Sequence, residues 1–546
     1  MPGVYGLHFR NLKGDLFGGI TAAVVALPLA LAFGVSSGAG AIAGVYGAIF
    51  TGFFAALFGG TPAQVSGPTG PMTVVMAGVF TQFVAVDPES GPALAFTVVV
   101  LSGLFQIGFG FLRLGQYIAM VPFPVISGFM SGIGVIIISL QLAPLLGQPS
   151  QAGVLDSLLA LPVNLLSLNP AALLLGTLTL LIVTRSPAKL AKWIPAPLLA
   201  LLIVTPLSVA LFSAGELAVI GDIPTGLPAL QLPSISTALL GDMLLSAMML
   251  AALGSIDSLL TSLVADNMTR IHHDSDRELI GQGIGNTMAG LFGGLPGAGA
   301  TMRTVVNIRA GGSTPLSGAL HALFLLVLIL GAGPLAEAIP HAVLAGILIK
   351  VGIDIIDWDF LRRARRAPPV ITTLMLLVLL LTVLVDLITA VAIGVFIANV
   401  ITVKRLAENQ IASIRLYNGQ DQNNAILGDS ERDLIDQANG AILVFQLSGP
   451  ISYGASKGIE QTFFAQSEHQ TIILDLSDVP FIDVSTAMAL ETLIKGSHSE
   501  TRAVFLVGVN DSVHDVLSRM QITGLLSPER CKPNLLAALN ASLAGQ

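Results

Sequence analysis

The chain has 546 residues, of which 53% are hydrophobic and only 11% are charged, and its mean hydropathy is +0.82. A soluble globular protein carries roughly 25% charged residues, so this composition excludes a large water-solvated protein. The net charge of −8 argues against nucleic acid as a partner, and the single cysteine, Cys531, excludes a disulfide framework. Many apolar runs approach the ~20 residues that a helix needs to cross the hydrocarbon core of a bilayer. The sequence therefore predicts a polytopic α-helical membrane protein.

In chain order, the apolar runs predict fourteen transmembrane segments. They lie at 16–35, 39–58, 69–87, 93–112, 117–147, 169–184, 194–213, 238–264, 279–295, 299–310, 314–333, 336–357, 369–385 and 387–403. With the N-terminus in the cytoplasm, every basic residue before Leu406 except Arg303 falls beside a loop that follows an even-numbered segment, or in a terminal segment. Positive charge concentrated on one side indicates the cytoplasmic side, so both termini are expected there.

The sequence contains an internal repeat. Ala-Ala-Leu-Phe-Gly-Gly-Thr-Pro at 55–62 returns as Ala-Gly-Leu-Phe-Gly-Gly-Leu-Pro at 289–296, and Thr-Val-Val follows at 73–75 and again at 304–306. Seven predicted segments separate the copies, so the two halves must cross the membrane in opposite directions. Inverted repeats are typical of secondary transporters, which bind their substrate near the bilayer midplane between the repeats.

A stretch rich in proline and glycine follows each copy, at 66–72 and 294–301. Proline removes a backbone donor and glycine weakens a helix, so each stretch is expected to be extended before a short helix begins. The unpaired N–H groups at such helix starts attract anions. Two opposed starts would form an anion site at the midplane; the alternative is that both stretches are tight turns used only for packing.

Charged residues inside predicted membrane segments are costly and usually functional. Asp257 lies in the eighth segment, and Thr261 shares its helix face. With backbone carbonyls of 299–301, they would suit a small hard cation. Sodium is favoured, a proton on Asp257 is the competing choice, and a purely structural aspartate is the remaining alternative. Arg303 would either add positive charge to the anion pocket or extend to the cytoplasmic interface.

After Arg405 the composition changes. Residues 1–405 are predicted to form the transmembrane domain, the polar segment 406–438 a linker, and residues 439–546 a small α/β domain with alternating strands and helices. Asp483 or Ser485 would cap one of its helices. The chain shows no nucleophile–base pair, so it is not expected to be an enzyme.

The sequence resembles the SulP anion transporter family over nearly its whole length, and its tail is similar to a STAS domain. The stretches that carry the resemblance are 8–11, 52–62, 68–75, 278–286, 297–302 and 351–358. Within the family, the membrane region is especially similar to sodium-dependent bicarbonate transporters.

This resemblance implies two inverted repeats of seven segments, with a core domain that moves against a gate domain like an elevator. It also implies a protein of the plasma (inner) membrane, with a cytoplasmic STAS domain through which it forms a homodimer. It implies that sodium is the coupling ion and bicarbonate the substrate, bound between the helix starts at Thr69 and Thr301. The implied sodium ligands are Asp257, Thr261, Gly299, Ala300 and Thr301. The implied substrate-binding residues are Thr69, Gly70, Ala300, Thr301, Met302 and Arg303.

Two features leave alternatives open. Ser485 matches the serine that is phosphorylated in soluble STAS proteins, which adds the hypothesis of a membrane sensor that signals through its tail. Arg303 stands where bicarbonate transporters of the family carry a small residue, while many other members have arginine. Sulfate or a dicarboxylate, coupled to protons or sodium, is therefore the alternative substrate.

Overall fold

The computed structural model describes residues 4–118, 121–151, 153–187, 194–213, 215–221, 228–385, 387–418, 427–451, 453–464, 469–499 and 502–544. The chain divides into two compact units, Met1–Val395 and Phe396–Gln546.

The first unit is helical, with one two-stranded sheet. Its elements are α1 (Leu12–Ser36), α2 (Ala41–Phe58), β1 (Ser66–Gly67), α3 (Gly70–Val86), α4 (Gly91–Phe111), α5 (Gly115–Ile118), α6 (Phe123–Leu145), α7 (Val154–Leu166), α8 (Pro170–Arg185), α9 (Ala196–Leu211), α10 (Leu240–Thr269), α11 (Ser275–Leu291), β2 (Ala298–Gly299), α12 (Thr301–Arg309), α13 (Pro315–Glu337), α14 (His341–Ile355), α15 (Trp358–Arg363), α16 (Pro369–Leu384) and the first part of α17 (Leu387–Ala412).

These helices pack in two groups. In the first, α1, α2, α4, α10, α11, α12 and α13 contact one another; in the second, α6 packs on α14 and α16, and α8 packs on α9 and α14. Small residues allow the closest approaches, as is usual for helices in membranes. A methyl group on Gly103 of α4 would stand 2.5 Å from the carbonyl oxygen of Gly283 of α11, and the reverse distance is also 2.5 Å.

Both copies of the repeat have the same local structure. The first copy ends α2 and the second ends α11, and each is followed by a two-residue strand and then a new helix. The strands β1 and β2 pair antiparallel, with Ser66 opposite Gly299 and Gly67 opposite Ala298. The extended stretches predicted from the prolines and glycines therefore lie side by side. We call this β1–β2 pair the crossing, and α3 and α12 begin just after it in the chain.

Each of the fourteen predicted segments contains a helix, but the details differ. The long run 117–147 is divided between α5 and α6, because Pro122 precedes α6 and lacks the backbone donor that a continuous helix would require. Helix α7 was not among the predicted segments. Six helices of the described chain are long and apolar enough to cross a membrane by length and composition, and the count of fourteen crossings stays a prediction.

The second unit is an α/β fold. Its elements are the end of α17, β3 (Arg415–Tyr417), α18 (Asp429–Gln437), β4 (Ile442–Ser448), α19 (Tyr453–Phe464), β5 (Thr471–Asp478), α20 (Val484–Ser499), β6 (Ala503–Val507), α21 (Asp511–Arg519), β7 (Cys531–Lys532) and α22 (Leu535–Ala544). The five strands follow one another in chain order across the sheet; β3 is antiparallel to β4, and the remaining pairs are parallel. Helices α19, α20 and α21 cover one face, and α18 and α22 cover the other.

The segment 406–438, predicted as a linker, is largely folded where it is described. It contains the end of α17, the edge strand β3 and the helix α18, and Ile435 of α18 is fully buried. An edge strand and a one-sided helix bury few of their residues, so their polar composition resembled that of a linker.

Candidate ion-binding site at the crossed half-helices

Helix α10 connects the two broken stretches through one face. Asp257 accepts a hydrogen bond of 2.7 Å from the Thr69 hydroxyl, which precedes α3. Four residues later, the Thr261 hydroxyl donates to the carbonyl oxygen of Gly299 at 2.9 Å and lies 2.7 Å from the Thr301 hydroxyl. Residues four apart stand about 6 Å apart along a helix, so the starts of α3 and α12 are bound to adjacent turns of α10.

The first N–H groups of both helices are available to an anion, except at Pro71 of α3, which has none. The first hydrogen bonds of the helices are donated by Thr73 to the carbonyl of Thr69, and by Thr304 to the carbonyl of Ala300. Neither helix has a side chain that caps its own start. The Thr69 hydroxyl before α3 is bonded to Asp257 instead, and Ala300 before α12 has no polar side chain. Uncapped N–H groups at a helix start carry partial positive charge and bind anions.

The donor set around α10 suits a hard cation. A carboxylate (Asp257), two threonine hydroxyls (Thr261 and Thr301) and a backbone carbonyl (Gly299) all present oxygen atoms, which alkali and alkaline-earth ions prefer over nitrogen or sulfur. Among the residues that the structure describes, no group of three or more His, Cys, Asp or Glu side chains is placed to hold a metal ion. A singly charged ion with a single carboxylate ligand fits this arrangement better than a divalent ion.

Arg303 is placed by the structure within the crossing. Its side chain is 2% exposed, and its Nη2 donates to the carbonyl oxygen of Pro68 in the first broken stretch. It also interacts electrostatically with Asp257. The sequence left open whether Arg303 extends to the interface or adds charge to the site; its burial and its bond to Pro68 exclude the first possibility.

A polar face of α11 holds both broken stretches, and sequence reasoning did not identify it. Glu278, Gln282 and Asn286 are spaced four residues apart and are at most 1% exposed. Such spacing of amides and a carboxylate in a glycine-rich helix was the available signal, since these side chains share one face.

Each of the three side chains holds a different part of the crossing. Glu278 accepts hydrogen bonds from the backbone N–H groups of Gly60 and Thr61, both at 2.9 Å. Gln282 donates to the hydroxyl of Ser66 at 2.6 Å. The amide of Asn286 accepts from the N–H of Gly297 at 2.7 Å and donates to its carbonyl at 2.9 Å. The bonds of Glu278 and Asn286 satisfy buried backbone groups that irregular chain would leave unpaired.

A narrow cleft reaches the start of α3. It is lined from four helices: Phe33 and Ser36 of α1, Gly70 and Thr73 of α3, Ile137 of α6, and Leu348 of α14. A methyl group on Gly70 would stand 2.8 Å from Ile137 and 2.9 Å from Ile355. The first helix start therefore faces the boundary between the two helix groups.

The remaining predicted site residues take different positions. Gly70 and Ala300 are buried, whereas Thr301 is exposed and the Met302 side chain is 64% exposed. In the second unit, Ser485 is exposed in the first turn of α20. The N–H and hydroxyl of Thr486 donate to Asp483, both at 2.8 Å; Asp483 therefore caps the helix and the Ser485 side chain stays accessible.

Comparison with known proteins identifies both parts of the chain. The model of the sulfate permease family matches residues 12–378, and that of the STAS domain matches residues 434–538. The chain is 51% identical over 534 residues to the bicarbonate transporter BicA of Synechocystis sp., covering 98% of this chain and 94% of that protein.

Two solved structures are similar to this one. The transmembrane domain of a cyanobacterial bicarbonate transporter BicA superimposes with a TM-score of 0.67 at 57% identity, covering 71% of this chain and 99% of that chain. The murine Solute Carrier 26 family member A9 anion transporter superimposes with a TM-score of 0.83 at 19% identity, covering 98% of this chain and 92% of that chain. The second likeness shows the fold alone.

Proposed function

This chain belongs to the sulfate permease family, and we propose that it is a secondary transporter that carries bicarbonate into the cell together with sodium. The proposal adopts the substrate of the BicA protein to which it is 51% identical. The plasma (inner) membrane, with both termini in the cytoplasm, is the proposed location. The observation that carries the proposal is the attachment of both helix starts, at Thr69 and Thr301, to one face of α10.

In this proposal each ligand completes the site of the other. Sodium is coordinated by oxygen atoms of Asp257, Thr261, Thr301 and Gly299. Thr301 also begins α12, so the sodium ion and the anion at this helix start share one residue. Bicarbonate accepts hydrogen bonds from the N–H groups of the two helix starts and faces the cleft at Gly70. Because the two ligands order the same residues, the binding of one raises the affinity for the other, and the effect is reciprocal.

The charges favour joint transport of one cation and one monovalent anion. Asp257 and Arg303 carry opposite single charges, so the empty site is neutral. Adding one sodium ion and one bicarbonate ion keeps it neutral, whereas either ion alone leaves a net charge. Moving an uncompensated charge through the low-dielectric membrane is costly, so the empty and fully loaded forms are the ones expected to move.

The proposed movement is that of an elevator, in which the first helix group carries the site past the second. The cleft at Gly70 lies between α1 and α3 on one side and α6 and α14 on the other. A site at this boundary changes its access when one group slides against the other.

Uptake of radiolabelled bicarbonate into proteoliposomes that contain the purified chain tests this function. An inward sodium gradient is expected to drive accumulation, and an inward proton gradient without sodium is not. Uptake that ignores sodium would refute the coupling, and absence of any bicarbonate uptake would refute the substrate.

Sulfate or a dicarboxylate is the second candidate, because the buried guanidinium of Arg303 adds a positive charge that a dianion would use. Excess sulfate in the same uptake assay separates the candidates. If sulfate is the substrate, radiolabelled sulfate is accumulated and bicarbonate is not; if bicarbonate is the substrate, excess sulfate leaves bicarbonate uptake unchanged.

For the second unit we propose a homodimer and phosphorylation of Ser485. The exposure of this hydroxyl at the start of α20 is what supports modification. A phosphate would add nearly two negative charges at a helix start, beside the cap Asp483. Mass spectrometry of protein purified from its native membrane tests the phosphorylation of Ser485. The molecular mass of the protein in detergent solution tests the homodimer.

A further inference from the structure

Helices α12 and α13 follow one another across a short loop, and a pair of polar side chains joins them beside it. Near the connecting loop, the amide of Asn307 donates to the hydroxyl of Ser317 at 2.7 Å. Arg303 precedes Asn307 by four residues, and His321 follows Ser317 by four. Residues four apart share a helix face, so Arg303 and His321 lie one turn farther from the loop, on the same faces as this pair.

Both side chains are buried and have unused hydrogen-bonding atoms. Arg303 is 2% exposed and His321 is 0% exposed. The Nη2 of Arg303 is bonded to Pro68, but its Nη1 has no partner among the protein atoms that the structure describes, and neither ring nitrogen of His321 has one there. A buried polar atom without a partner costs about as much as a lost hydrogen bond, so such atoms usually bind ordered water.

Glycines let both side chains lie close to the backbone around β1. A methyl group on Gly52 of α2 would stand 3.1 Å from the carbonyl oxygen of Ser66 and 3.2 Å from Nδ1 of His321. A methyl group on Gly67 would stand 2.6 Å from Nη1 of Arg303. Two glycines therefore border the unpaired nitrogens, where any larger residue would occupy the space.

We propose that Arg303 and His321 bind one or two ordered water molecules beside the β1–β2 crossing. Water fits because it accepts from the Nη1 of Arg303 and donates to the unprotonated ring nitrogen of His321, which no cation and no anion does at once. The water holds the guanidinium against Pro68, and thereby positions its charge behind the start of α3.

A density map of the full chain in lipid nanodiscs, at a resolution that shows ordered water, tests the site directly. We expect density at hydrogen-bond distance from both Nη1 of Arg303 and a ring nitrogen of His321. Direct contact between the two side chains without such density would overturn the proposal. So would an anomalous bromide signal at this position in crystals grown in sodium bromide, since it would identify an anion.

Variants of His321 provide a second test, which rests on the proposed function. His321→Leu is expected to remove the density and raise the KM for bicarbonate about tenfold to a hundredfold, the effect of one lost hydrogen bond to a charged group. His321→Gln keeps a donor and an acceptor and should retain both the density and the KM. His341→Leu, at a half-buried histidine of α14, is the matched control and should leave both unchanged.

The two arms fail separately. Wild-type density and KM in His321→Leu would overturn the water site whatever the substrate. A chain that transports no bicarbonate would overturn the proposed function, while the density in the map would still decide on the water.

Discussion

Replacing Asp257 by asparagine tests the cation site directly, because it removes a negative charge and keeps the shape of the side chain. The carboxylate is 8% exposed and accepts a hydrogen bond of 2.7 Å from Thr69. Asparagine still accepts that bond through its oxygen, so the start of α3 should stay in place. What is lost is the attraction for sodium, and the positive charge of Arg303 is left unmatched.

The magnitude follows from Coulomb's law. Opposite unit charges about 4 Å apart attract by about 4 kcal/mol at an effective dielectric constant of ~20. If between a quarter and a half of this offsets the cost of removing the ion from water, about 2–3 kcal/mol remains, and every 1.4 kcal/mol is about a tenfold change in affinity. Asp257→Asn should therefore raise the sodium concentration for half-maximal uptake by roughly 30–150-fold.

The assay is sodium-dependent uptake of radiolabelled bicarbonate into proteoliposomes, with equal amounts of inserted protein. Asp242→Asn is the matched control, because Asp242 lies on the same helix in its first turn and is exposed. It should behave as the wild type. An unchanged sodium dependence in Asp257→Asn, in protein whose thermal unfolding is also unchanged, would show that this carboxylate does not bind the coupling ion.

Three further predictions concern the neighbours of this carboxylate. Thr261→Val removes the hydroxyl that contacts Gly299 and should raise the half-saturating sodium concentration about fivefold or more, whereas Thr261→Ser should not; equal sodium dependence of the two variants would argue against a hydroxyl ligand. Glu278→Ala leaves the N–H groups of Gly60 and Thr61 unpaired and should destabilise the protein by about 3 kcal/mol or more, and an unchanged unfolding midpoint in detergent would refute the holding role. Gly67→Ala should abolish uptake, because Gly67 has φ +151° and the added methyl would stand 2.6 Å from Arg303; normal uptake would show that the crossing tolerates distortion.

Much of the fold could be predicted from residues that act on the backbone at their own position. Proline and glycine at 66–72 and 294–301 predicted extended chain followed by new helices, and β1, β2, α3 and α12 have that form. The prediction succeeded because a missing N–H group and a missing side chain act on the backbone at their own position. The same holds for the alternating strands and helices of the second unit, where β4, β5 and β6 were expected from their apolar runs.

The elements that the sequence did not predict are those whose role depends on the elements packed against them. The edge strand β3 and helix α18 lay within the predicted linker, since each buries only one side against the rest of its unit. The polar face of α11 also went unrecognised as a holding element. The roles of Glu278 and Asn286 become apparent only when the segments that they bind, at Gly60 and Gly297, are brought beside them in the fold.

The sequence by itself determined the class of protein, the internal repeat and the candidate residues, because hydropathy, charge and backbone-breaking residues act locally. Only the tertiary structure decided that Thr69 and Thr301 are bonded to neighbouring turns of one helix. It alone placed Arg303 against Pro68 rather than at the interface. These hydrogen bonds join residues that are 40, 188 and 235 positions apart in the chain. They arise from packing, and no local pattern in the chain encodes their partners.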